Sequence, residues 1–222
     1  MNRYTIIIAL FLAATSVKAQ EVWEKPTDEV SKQEAKEKNT PAEKKKTANL
    51  KDAKYLAGAV TEKDGKVVWT TDIEIPGKST QSIYDATLKA MQKLTKGENQ
   101  LEGSSVSLVN KQEHIIVAAP KEWLTFTNKF LSLDRAEMNY VLIATCSDGK
   151  LHISMERIKY LYEENGKNKE KILAEDAITD KNALNKKKTR LVPGWARFRR
   201  KTIDRKDEIF KFLKENVKEN IQ

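Results

Sequence analysis

Few residues in this 222-residue chain could carry out chemistry: Cys146 is its only cysteine, and His114 and His152 are its only histidines. A nucleophilic thiolate needs a base within hydrogen-bond reach, so Cys146 and His152 are the pair to test first. The sequence between them argues against it. Tyr140 to Ser147 and Lys150 to Tyr160 alternate apolar and polar residues around Asp148 and Gly149, a strong hairpin signal. A two-residue loop pairs Ser147 with Lys150, Cys146 with Leu151 and Thr145 with His152. Cys146 then shares an apolar face with Leu142, Ala144, Leu151, Ile153 and Met155. His152 shares the opposite, mixed face with Val141, Ile143, Thr145, Ser154 and Glu156. The thiol is therefore expected as a small core residue, and His152 as a residue of an open sheet face, either a ligand contact or plain surface. His114 begins a strand and has no visible partner.

Neither histidine belongs to an H-x-x-x-H or H-E-x-x-H pattern, and a lone cysteine excludes a Cys-pair zinc site. Nucleotide-loop and hydrolase-elbow motifs are absent, and acidic pairs such as Glu163 and Glu164, or Asp72 and Glu74, sit in solvated settings. No catalytic residue, metal ligand or cofactor is assigned.

The most unusual stretch is Lys186 to Lys201, where eight cations accompany Trp195 and Phe198. Two readings stay open. The cations and rings could together hold anionic envelope lipid or acidic glycan. Alternatively, Trp195 and Phe198 tuck into the core while the cations stay solvated. Trp195, Arg197, Phe198, Arg199 and Arg200, with His152, are the candidate binding residues. Nucleic acid is disfavoured because export removes the usual target.

The elements that must position these residues follow from periodicity. Lys66 to Ile75 alternates, with Val67, Trp69, Thr71, Ile73 and Ile75 on one face, and follows a turn at Asp64 and Gly65. Ser79 to Thr95 reads as a helix with a stripe of Ile83, Thr87, Ala90, Met91 and Leu94. Ser82 with Asp85 resembles a capping box. Val106 and Leu108, Ile115 to Ala119 and Trp123 to Thr127 suggest further strands. Residues 163–190 read as a polar connection. Asp204 with Asp207 is placed as the cap of a final helix, with Ile209, Phe210, Phe212, Leu213 and Val217 on its docking side. The order predicts an α+β fold, an antiparallel sheet with helices packed on one face and a C-terminal helix.

Four segments result. Residues 1–19 read as a signal peptide: Arg3, an apolar run from Ile6 to Val17, then Val17-Lys-Ala19 before Gln20. The run is about a dozen residues, short of the roughly 20 a spanning helix needs. No later segment is long and apolar enough to span, so the chain is expected as periplasmic or secreted, without a membrane span. Residues 20–54 form a Lys/Glu-rich flexible linker, 55–162 the α+β domain, and 163–222 the connection, basic segment and final helix. The charge excess lies late: residues 55–180 hold 16 basic and 19 acidic residues, whereas 181–222 hold 14 and 5.

Tyr55 to Val60 (YLAGAV), Asp64 to Val67 (DGKV), Ile75 to Ser79 (IPGKS) and Ile83 to Asp85 (IYD) resemble the start of a family. So do Ser147 to Lys150 (SDGK) and Ile158 to Tyr160 (IKY). The family is the exported proteins of Gram-negative gut bacteria that carry domain of unknown function 4468, described as TBP-like in fold. The resemblance covers residues 55–162. It implies a curved antiparallel sheet backed by helices and carries over no catalytic residue. The functional expectation is a non-enzymatic periplasmic module that binds a ligand or another envelope protein through the open sheet face and the basic segment. The alternatives are an envelope hydrolase whose site no motif reveals, and a purely structural envelope protein. N-terminal sequencing of the natural protein should give Gln20 as the first residue; intact Met1 would overturn the expected export.

Overall fold

Asp64 and Gly65 take positive φ angles of 51° and 70°, the left-handed pair that a tight two-residue hairpin loop needs. They fold β1 (Glu62–Lys63) onto β2 (Lys66–Glu74), setting Lys63 opposite Lys66. Val67, Trp69, Ile73 and Ile75 are buried, the face that the alternation predicts. The computed structural model describes residues 52–130, 132–163 and 169–221. They all fall within one compact unit, Lys46–Gln222. The expected signal peptide and most of the expected linker lie outside the described residues.

Helix α1 (Thr80–Leu94) buries the expected stripe of Ile83, Thr87, Ala90, Met91 and Leu94, and adds Tyr84 and Ala86. Its cap differs from the expected one. Ser79 is the N-cap, its hydroxyl accepting from the Ser82 amide at 3.3 Å, while Asp85 instead accepts from Gln81 one turn back. Pro76 and Gly77 halt the preceding chain early enough that the first free helical amides fall at Ser79, not Ser82.

After α1 the chain forms β3 (Ser105–Asn110), β4 (Ile115–Ala119), β5 (Lys121–Lys129), β6 (Ser132–Ser147), β7 (Lys150–Tyr162) and β8 (Glu170–Leu173). All pairings are antiparallel, in the order β1-β2-β7-β6-β4-β3, with β5 beside β6 and β8 beside β7. The long strands β6 and β7 therefore serve two half-sheets. Their register is the expected one: Ser147 faces Lys150, Cys146 faces Leu151 and Thr145 faces His152.

One irregularity keeps the inner face apolar along all of β7. Arg157 sits at φ 54°, and the β6–β7 register shifts between Asn139 and Val141. Two β7 residues, Arg157 and Ile158, thus stand where β6 supplies Tyr140. Such a bulge bends the strand and reverses its side-chain phase. Leu151, Ile153 and Met155 point inward before it, and Ile158 and Tyr160 after it.

Residues 163–190 are not a featureless connection. They contain β8 and two short helices, α2 (Ala174–Ala177) and α3 (Asp180–Ala183). The final helix is also longer than expected. Helix α4 spans Pro193–Ile221, so Asp204 lies in mid-helix and caps nothing. Proline suits a first helical turn, where its missing N–H is not needed. Phe198, Ile203, Ile209, Leu213 and Val217 face the core, recurring at four- to six-residue steps. Helices α1 and α4 pack together on the inner face of the sheet. The other face carries no helix among the described residues.

Cys146 lies on the inner face at 5% exposure, its Sγ 3.9 Å from Thr87 Oγ1. Burial pushes its thiol up to about 11, against a small opposing effect of the Thr87 hydrogen bond. Raising the pKa from 9.0 to about 11 lowers the thiolate fraction at pH 8 roughly a hundredfold. A thiol reagent should therefore label the folded protein only slowly, with a rate that climbs with pH toward 11, and rapidly after unfolding. Rapid labelling of the folded protein at neutral pH would reopen Cys146 as a nucleophile.

Candidate functional site

The helical period of α4 sorts the basic segment into inward and outward residues. Phe198 is 1% exposed and Arg199 has no exposed surface. These two, expected as contact residues, belong to the interior. Phe198 packs edge-on against Tyr160, Tyr162 and Trp195, with ring centroids 5.0, 5.5 and 5.7 Å away. The Arg199 guanidinium donates to the carbonyls of Tyr55 at 2.6 Å, Ile178 at 2.6 Å and Leu56 at 2.7 Å, and to Asp180 Oδ1 at 2.7 Å. A buried charge is tolerated only when paired and hydrogen-bonded, and this one is both.

The neighbouring cations are also engaged. Arg200 forms two bonds of 2.8 Å to Asp52, which hold its pKa above the ordinary value. Arg197 donates to Asp134 at 2.9 Å and to the Tyr162 hydroxyl at 3.0 Å. Tyr55 Oη and Lys54 both reach Asp204. Arg199 and Arg200 of the segment, with Asp204 beyond it, thus grip residues 52–56, the point where the chain enters the domain. Trp195 is half-buried against Phe198. Lys186, Lys187 and Arg190 remain exposed and make no ion pair among the described residues.

The outward face of the sheet is built by register. Leu108, Val117, Ile143, Ser154 and Thr70 form one cross-strand row; Asn110, Ile115, Thr145, His152 and Asp72 form the next. The β3–β4–β6 half is thus mainly apolar, with Leu108 59% exposed, and the β7–β2 half is polar. His152 Nδ1 lies 2.7 Å from Asp72 Oδ1, and Lys150 Nζ lies 3.2 Å from Asp72 Oδ2. The His152 bond first and the Lys150 bond second hold the Asp72 carboxyl below its usual value. Cys146 faces the other way, so the structure does not bring it to His152. His114 contacts the Tyr84 ring edge-on at 5.6 Å and Gln81 at 3.3 Å.

An open cleft of about 490 Å³ runs between β5 and α4, past Trp123, Asn99, Lys201 and Lys211. Lys54, Arg205, Asp204, Asp207 and Glu208 also line it, so its charge is nearly balanced. Beside it lies a fully buried carboxylate, Glu122, held by two Arg205 bonds of 2.9 and 2.8 Å and by Gln100 at 2.7 Å. Burial opposes the Arg205 charge, but Glu122 outweighs it and holds the pKa raised. This pair ties α4 to β5. Among the described residues no group of three or more His, Cys, Asp or Glu side chains is placed to hold a metal ion.

Residues 69–161 match a domain of unknown function, DUF4468, with TBP-like fold. The crystal structure of a DUF4468 family protein from Bacteroides ovatus is 40% identical to this chain, with a TM-score of 0.69. The match covers 75% of this chain and 94% of that one. The chain belongs to the DUF4468 family. A TBP-like protein from Parabacteroides distasonis shares the fold at 24% identity and a TM-score of 0.58, over 72% of this chain and 97% of that one. No curated protein matches the chain. The DUF4468 resemblance read from the turn and core motifs is therefore correct, and so is the antiparallel sheet with a C-terminal helix.

Sequence reasoning missed the Glu122–Arg205 pair and the extent of the apolar outer half. For the second a signal existed: Ile115 to Ala119 is apolar at every position, as a strand apolar on both faces must be. In this DUF4468 protein the Arg199 contacts set the cost of substitution. Arg199→Lys cannot span three carbonyls and Asp180, and should destabilise by about 3–5 kcal/mol. Arg200→Gln breaks a half-exposed pair and should cost about 1 kcal/mol or less. Urea unfolding of both variants measures the difference; equal losses would refute the central role of Arg199.

Proposed function

We propose that this protein is a non-enzymatic binding module of the bacterial cell envelope, acting in the periplasm, and that it receives another envelope protein on the bare face of its sheet. The observation that carries this reading is the face itself. Among the described residues, helices cover the eight-stranded sheet on one side only. On the other side, Leu108, Ile115, Val117, Val141 and Ile143 form a contiguous apolar area by register. Exposed apolar areas with a polar border favour protein contacts. Here the border is supplied by Asp72, His152 and Lys150, which give the partner a polar row to match.

The shape supports a macromolecular partner over a small substrate, because the face is broad and shallow. The N-terminal signal-like segment supports the location. A photo-activatable residue at Val117 or Ile143 should yield one discrete protein adduct in cells. The same residue at Lys89 or Lys214, on the outer sides of α1 and α4, should not. Leu108→Glu should weaken the adduct at least tenfold, as loss of about 1.4 kcal/mol or more would. Adducts of equal yield from both faces would refute the reading.

A further inference from the structure

The tip of the β5–β6 hairpin carries exposed apolar side chains. Lys129 pairs with Ser132, and Phe130 follows Lys129 directly at the turn. Two-residue loops favour Asn, Asp and Gly, which tolerate positive φ. The two other two-residue loops of this sheet obey that preference, with Asp64 and Gly65, and Asp148 and Gly149. Phe130 is not a residue that this preference selects. It is 99% exposed, and Leu133, on the returning strand, is 58% exposed.

The surroundings of this tip are cationic. Lys129, Arg135 and Lys169 are all exposed. Arg135 and Lys169 line one shallow depression of about 290 Å³ with Trp123, Leu133, Asp134, Leu161 and Glu163. The Asp134 carboxylate there is already engaged by Arg197 and by the Tyr162 hydroxyl. The hairpin base is braced: the Arg197 guanidinium lies 5.3, 5.0 and 5.6 Å from the ring centroids of Phe126, Tyr162 and Phe198. Helix α4 starts at this same end. Arg190 lies three residues before Pro193, hence within about 11 Å of it by chain length. The exposed Lys186–Arg190 loop leads into that helix start, with Lys188 paired to Asp180 at 3.7 Å.

We propose that this end of the domain docks on an anionic phospholipid bilayer. Phe130 and Leu133 enter the boundary between headgroups and acyl chains, and Lys129, Arg135 and Lys169 meet the lipid phosphates. A small apolar tip ringed by cations matches the chemistry of an anionic membrane interface. A protein pocket would instead be expected to meet a larger apolar area. Leu133 and Arg135 share the outward face of β6 with Val141 and Ile143 but stand eight residues away along the strand, so variants at the tip test this proposal without touching the apolar area described above.

The test is co-sedimentation with phosphatidylcholine vesicles, with and without phosphatidylglycerol, at low and high salt. The chain used begins at Gln20. It keeps every described residue and lacks the apolar run at Ile6 to Val17, which would partition by itself. The wild-type protein should sediment with phosphatidylglycerol vesicles and be released by salt. Phe130→Ser with Leu133→Ser should weaken binding at least about tenfold at an unchanged melting temperature. Lys129→Gln with Arg135→Gln and Lys169→Gln should weaken it about a hundredfold and flatten the salt dependence. Wild-type protein left in the supernatant with anionic vesicles overturns the proposal and leaves a protein pocket as the occupant of the tip. Serine variants that sediment like wild type overturn it equally.

Discussion

A single guanidinium with no exposed surface organises the region where the chain enters and the final helix begins. Arg199 satisfies carbonyls of Tyr55, Leu56 and Ile178 that would otherwise be short of donors, and it pairs with Asp180. Asp180 in turn accepts from the Gly58 amide. Two stretches of chain, residues 55–58 and 178–180, are thus joined to α4 through one planar cation. Lysine cannot reproduce this, because its charge is a point and its donors radiate from one atom. The cost of desolvating such a charge makes the arrangement all-or-none: it is stable when every partner is present and expensive when one is lost.

The sheet solves a different problem, that of keeping one face dry over strands as long as β6 and β7. A straight alternation cannot follow a sheet that bends. The bulge at Arg157 reverses the side-chain phase where the bend occurs, so apolar residues remain inward on both sides of it. A second register shift, between Thr125 and Thr127, lets β5 follow the same curvature. The outward face is free of this constraint, and its apolar and polar halves divide between the strands.

Much of this was legible in the residues. The Asp148–Gly149 turn set a register that put Cys146 and His152 on opposite faces, and the α1 stripe followed directly from helical spacing. The extent of α4 was not legible. Its first turns carry Arg197, Arg199 and Arg200, and charges at helical spacing look the same whether they meet water or a buried carbonyl. Backbone carbonyls leave no mark in a sequence, so the partners of Arg199 could not be named. Trp195 and Phe198 could be read as anchors or as core, and only the packing of Phe198 against Tyr160 and Tyr162 decided for one of them. The bulge was hidden for a similar reason, since Arg157 is an unusual choice for a left-handed position that Gly or Asn more often occupies.

The Arg199 contacts join residues 144 positions apart in the chain. A ribosome adding about 5–20 residues per second would make Tyr55 roughly 7–30 seconds before its partner exists. Throughout that interval Tyr55 and Leu56 lack the Arg199 donors, and the inner face of the sheet has no α4 to cover it. Closure of the domain therefore waits for the last helix made, which packs against the first residues of the domain. A chain cut short before Pro193 would keep every strand and still leave Phe126, Tyr160 and Tyr162, which pack against Phe198, open to chaperones and proteases.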